Sequence, residues 1–93
     1  MNFEARYIDA GRRGRTDGNV DAIWCELNGR MRRFTADNVK ETQAAGHRFY
    51  VRDGAHTSRD IHVVGALSHP HLHTDADCVQ PNRLDDLPGR YGD

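Results

Sequence analysis

Three histidines stand two apart in the last third of the chain: His69, His71 and His73. Alternate residues of a β-strand point to the same face, so in a strand these imidazoles share one side. Zn²⁺ takes about four N, O or S ligands at roughly 2.0–2.3 Å, and Asp75, Asp77 or Cys78 in the following loop offer a fourth. A straight strand rises about 3.4 Å per residue, which sets side chains i and i+4 nearly 14 Å apart. One ion therefore takes all three only where Pro70 bends the strand. Two of them with His62 from a neighbouring strand form the more feasible set. The competing reading is an exposed edge strand of polar, sheet-compatible side chains.

A second group is cationic. Arg12, Arg13 and Arg15 lie in one loop and Arg30, Arg32 and Arg33 in the next hairpin; Lys40 is the only lysine. Guanidinium forks suit phosphate and carboxylate, and with Trp24 and Tyr50 as stacking platforms the two loops would line a groove for single-stranded nucleic acid. Overall charge opposes this. The net charge is −1, with +2 over residues 1–50 and −3 over residues 51–93, so the broad basic footprint of a nucleic-acid binder is missing. The competing readings are a coding preference for arginine and solvated charge that keeps strand edges apart.

Nothing reads as a catalytic centre. There is no Gly-x-Ser-x-Gly elbow, phosphate loop or His-Glu-x-x-His motif. Cys25 shares a strand face with Ile23 and Leu27, the position of a small core residue. Trp24, on the opposite face, has two readings: an interface anchor for a protein partner or a homodimer, or a core residue beneath the helix. Cys25 and Cys78 form no Cys-x-x-Cys pair, which suits a reducing compartment. Residues 1–6 contain no apolar run like that of a signal peptide, and no stretch reaches the roughly 20 apolar residues of a membrane span. A cytoplasmic setting with no membrane partner is the expectation.

The elements that must position these groups are legible as alternation and punctuation. A single domain over residues 1–93 is expected. Phe3, Ala5 and Tyr7 alternate with Glu4 and Arg6 as a first strand, and residues 11–19 read as a Gly-rich loop. Residues 20–27 and 30–34 form a hairpin about Asn28-Gly29, which suits a type I′ turn. Thr35 caps a helix over 36–45 with a weak apolar stripe, Asp37 complements its dipole, and Gly46 ends it. Strands follow at 48–52, 61–67 and 69–74, with Pro70 marking an edge. Leu84 and Leu87 suggest one helical turn ended by Pro88, and residues 89–93 fray. The order ββ(β)αβββ predicts an α+β fold: an antiparallel or mixed sheet of about five to six short strands with one helix on one face.

From about residue 5 to residue 88 the chain resembles the short bacterial proteins grouped as domain of unknown function three-eight-nine-two. The resemblance is carried by Ala5-Arg6-Tyr7-Ile8; by a Thr-capped helix ending in Gly before Phe49-Tyr50-Val51; by His62-Val63-Val64; and by the tail. The tail runs His71-Leu72-His73-Thr74, Asp75-Ala76-Asp77, then Asn82-Arg83-Leu84-Asp85-Asp86-Leu87-Pro88. This chain departs by having His71 where the family has Tyr, His73 where it has Arg, and Arg83 where an Asn precedes the first Leu. The resemblance implies a shared fold, a bacterial cytoplasmic setting and a structural tail covering the open end of the sheet. It implies no catalytic residues and argues against a shared metal site. The leading expectation is a small non-enzymatic accessory or protein-interaction module. A nucleic-acid-associated protein using the arginine loops comes second, and a metal-binding protein using the histidine strand, with Zn²⁺ as one candidate ion, third.

Overall fold

Alternating apolar residues separated by tight turns build a mixed sheet around one short helix. The computed structural model describes residues 1–9, 20–52, 54, 56–65 and 67–90. The strands are β1 (Asn2–Asp9), β2 (Ala22–Leu27), β3 (Arg30–Thr35), β4 (Arg48–Arg52), β5 (Ser58–Asp60), β6 (His62–Val64), β7 (His71–His73) and β8 (Gly89–Arg90). The helix α1 (Ala36–Ala44) lies between β3 and β4, and a 3₁₀ turn spans Arg83–Asp86. The main sheet has the order β3-β2-β1-β4-β5, with β8 also beside β1, and β6 and β7 form a separate hairpin. This is the expected α+β architecture.

Local chemistry sets the turns. Asn28 and Gly29 both take positive φ, 53° and 81°, the requirement of a type I′ hairpin. Thr35 accepts from the Asn38 amide while the Asn38 side chain accepts from the Thr35 amide, each at 3.2 Å, a reciprocal cap. The helix buries only Ala36 and Val39, in keeping with its weak stripe. Gln43 fastens it further by donating to the Ile61 carbonyl at 2.8 Å.

The β3–α1–β4 connection places β4 parallel to β1, with Phe3 opposite Phe49. Phe3, Phe34 and Phe49 meet at centroid distances of 5.0–5.6 Å. Ile23, Cys25, Val39, Val51, Leu72 and Leu84 complete the same apolar cluster. Leu72 also donates its amide to the Val20 carbonyl at 2.7 Å, joining the β6–β7 hairpin to the start of β2.

Four expectations change. The first strand is not a simple alternation: the register slips between Ala5 and Tyr7, so Tyr7 stands opposite Trp24 and Ile8 opposite Ile23. This bulge carries Tyr7 to the face away from the core and Ile8 into it. The strand expected at 61–67 stops after Val64 because Gly65 turns the chain at φ 92°. Ser58–Asp60, wholly exposed and polar, is a strand that only its pairing with β4 reveals. Gly89 and Arg90, expected to fray, pair in parallel with Ile8 and Asp9, while residues 91–93 of that tail lie outside the described residues. Among the described residues no helix is long and apolar enough to cross a membrane.

Candidate functional site

The histidine hairpin puts His62 directly across from His73 and Val64 across from His71. Its other face, Val63 and Leu72, packs into the core. His73 is buried, and its Nδ1 accepts from the Asp75 amide at 2.8 Å. The His71 ring lies against Gly65, where a Cβ would come within 2.8 Å of Nδ1. His69 is exposed and precedes β7. The pairing of His62 with the strand is thus as expected, but among the described residues no three His, Cys, Asp or Glu side chains are grouped to hold a metal ion.

Asp75 closes the following loop. Its carboxylate accepts from the amides of Asp77, Val79 and Gln80 at 2.8–3.1 Å. These bonds, Gln80's first, hold its pKa below the ordinary 3.8. A carboxyl with a depressed folded pKa contributes stability above its unfolded value and loses it as pH falls through the folded one. The amide signals of residues 77–80 are therefore expected to move together below pH 3.8, and Asp75→Asn is expected to remove that transition. An unchanged titration in the variant would show the loop to be held otherwise.

The described arginines of the β2–β3 hairpin fall on both faces of the sheet. Arg12, Arg13 and Arg15 lie outside the described residues. In the β2–β3 hairpin, Arg32 pairs with Cys25 and Arg30 with Leu27 on the helix side, whereas Arg33 pairs with Trp24 on the other face. Arg32 lies over the Phe34 ring at 5.3 Å, and Arg33 donates to Asp9 at 2.9 Å.

Trp24 is only 6% exposed, yet the helix does not cover it. Strand alternation sets it opposite Ile23 and Cys25, which face α1, and it stands outside the apolar cluster. It is buried on the face of the sheet that carries no helix among the described residues, the helix-free face. Arg90 lies over its ring at 4.9 Å and over Tyr7 at 5.8 Å. The indole Nε1 is buried and has no hydrogen-bond partner among the described residues. Sequence reasoning missed Tyr7, hidden by the bulge, and Arg90, placed in the frayed end.

The rest of this face is an ion lattice. Arg6 reaches Glu4 and Glu26 at 3.7 and 3.9 Å, Arg52 meets Glu4 at 3.3 Å, and Arg48 pairs with Asp60. Arg48 also stacks over Tyr50 at 5.0 Å.

Two further features bear on chemistry. Burial, with the nearby Glu4 charge, pushes the Cys25 thiol up to about 12, which leaves it protonated and unreactive at neutral pH. A cleft of about 410 Å³ separates α1 from β6, with Asp37, Lys40, Gln43 and His62 on its walls and Leu67 at its rim. Its described lining contains no Ser, Thr or Cys. No family model, curated protein or solved structure matches the chain.

Proposed function

We propose that the protein is a small non-enzymatic interaction module of the cytoplasm that binds a protein partner through the helix-free face of its sheet. Membership of the bacterial family of unknown function named above is part of the same proposal. The observation that carries it is the make-up of that face: Tyr7, Trp24 and Tyr50 among arginines on one side of a six-strand sheet. Aromatic residues and arginine are the types enriched at protein interfaces. The same types serve single-stranded nucleic acid, but here Glu4, Asp9, Glu26 and Asp60 stand among the cations. Interleaved carboxylates cancel the long-range attraction to phosphate while leaving complementary pairs for a partner of mixed charge.

The test places a photo-crosslinking phenylalanine at Tyr50, on the face, and at Val79, exposed in the loop after β7, in the producing cell. A discrete protein adduct from position 50 alone, lost when Arg48 and Arg52 are both replaced by Glu, is expected. Equal labelling from both positions, or none from position 50, would overturn the reading. An adduct removed by nuclease would move the assignment to nucleic acid.

A further inference from the structure

Four arginines of the helix-free face each meet a carboxylate: Arg6, Arg33, Arg48 and Arg52. Among the described residues Arg90 does not: its partners there are the two rings beneath it, Trp24 and Tyr7. Beneath the same guanidinium lies the indole whose N–H is buried and unmatched. Buried polar groups are nearly always hydrogen-bonded, and an exception calls for an explanation. Two neighbouring donors thus lack an acceptor, one a full cation and one an N–H. Both await the same kind of group: an anionic oxygen. Arg90 is exposed and sits on a strand of two residues at the sheet's margin, so its side chain is free to lift from the ring and open the indole edge.

We infer that Arg90 and Trp24 form a notch that receives a carboxylate side chain, Asp or Glu, from the protein partner of this face. The inference rests on the interaction reading above and adds the partner's chemistry. Charge complementarity selects the occupant. The other cations of the face are already neutralised by neighbours, so an acidic residue gains most at Arg90. A charge-assisted pair there, with the indole N–H donating to the second oxygen, would satisfy both donors at once. Phosphate would satisfy the same two donors. A nucleic-acid strand, however, would also have to lie against Glu4, Asp9, Glu26 and Asp60.

The chain has one tryptophan, so a single indole N–H signal reports on the notch in a two-dimensional ¹⁵N NMR spectrum. The probe is the blocked peptide acetyl-Glu-Ala-Glu-Ala-amide. A saturable downfield movement of that signal is expected, at least tenfold weaker with the glutamine counterpart and at least tenfold weaker in Arg90→Gln. Backbone amides distant from β1 and β8 should be unchanged in that variant. The inference is overturned if the acidic peptide leaves the indole signal in place, or if the glutamine peptide moves it equally. It is also overturned if a thymidine hexanucleotide moves it more strongly than either. The crosslink at position 50 separates the two readings: if it forms in full in Arg90→Gln, the face binds a partner and the notch does not.

Discussion

Phe49→Ala is expected to cost the fold about 3–5 kcal/mol, the range for removing a buried aromatic side chain. Phe49 is fully buried and is the ring on which the other two converge, stacked on Phe3 at 5.0 Å and edge-on to Phe34 at 5.1 Å. Its carbonyl also accepts from the Ile61 amide at 3.0 Å, so the residue ties β4 both to the core and to the approach into β6. A chain of 93 residues has a thin interior, and small domains hold only about 5–15 kcal/mol in all. The loss therefore takes a large share. With a shift of roughly 4–8 °C per kcal/mol for a domain of this size, the midpoint should fall by at least about 12 °C. Urea unfolding followed by far-ultraviolet circular dichroism measures it. Phe49→Leu keeps most of the volume and should cost much less. A Phe49→Ala protein within 1 kcal/mol of the parent, on the scale of surface changes, would mean that the three rings do not form the centre of the core.

That core also explains what sequence could and could not disclose. Features written in adjacent residues were legible: the Asn28-Gly29 turn, the Thr35 cap, the Gly46 stop and the alternation of β2 and β4 each follow from local backbone chemistry. Features defined by a distant partner were not. Ser58–Asp60 has no apolar residue to mark it and is a strand only because β4 offers an edge. The bulge at Arg6 is set by pairing with β2, and it reverses the face assigned to Tyr7. The edge of β1 beyond its pairing with β4 draws in Gly89 and Arg90, which no periodicity announces.

The candidate site divides along the same line. Alternation correctly set Trp24 opposite Ile23 and Cys25, but which face the helix would take depends on the β3–α1–β4 crossover, a property of the whole sheet. His71 and His73 share a face of β7 as their spacing required, with His62 across from His73, while His69 precedes the strand. Whether they converge depends on depth and direction: His73 turns its Nδ1 to the Asp75 amide and His71 packs on Gly65. The arginines of the β2–β3 hairpin are split by the alternation of the strand itself, so Arg33 was separable from Arg30 and Arg32 by counting. Its partner Asp9, from another strand, was not.

The tail shows how one polar side chain can hold an element that has little apolar mass. Asn82 is buried. Its Oδ1 accepts from the amides of Thr74 at 3.3 Å and Leu84 at 3.2 Å, and its Nδ2 donates to the Leu72 carbonyl at 3.0 Å. Thr74 returns the contact, its hydroxyl accepting from the Arg83 amide at 2.9 Å. The pair fastens the 3₁₀ turn to the end of β7 and seats Leu84 in the core. Asn82→Ala leaves two amides and a carbonyl without these partners. Each unsatisfied buried group costs about 1–3 kcal/mol, and water entering the space offsets part of that. A net loss of about 2–4 kcal/mol is expected by urea unfolding. Hydrogen exchange should rise first at Thr74 and Leu84, before the amides of β1 and β2. Asn82→Asp keeps the acceptor but sets a buried carboxylate against the Leu72 carbonyl. It should therefore be at least as damaging at neutral pH and recover part of its stability in acid, where the protonated carboxyl can donate. If Asn82→Asp were harmless at neutral pH, the Nδ2 bond would contribute nothing, and the turn would be held by the Oδ1 and Thr74 bonds and the packing of Leu84.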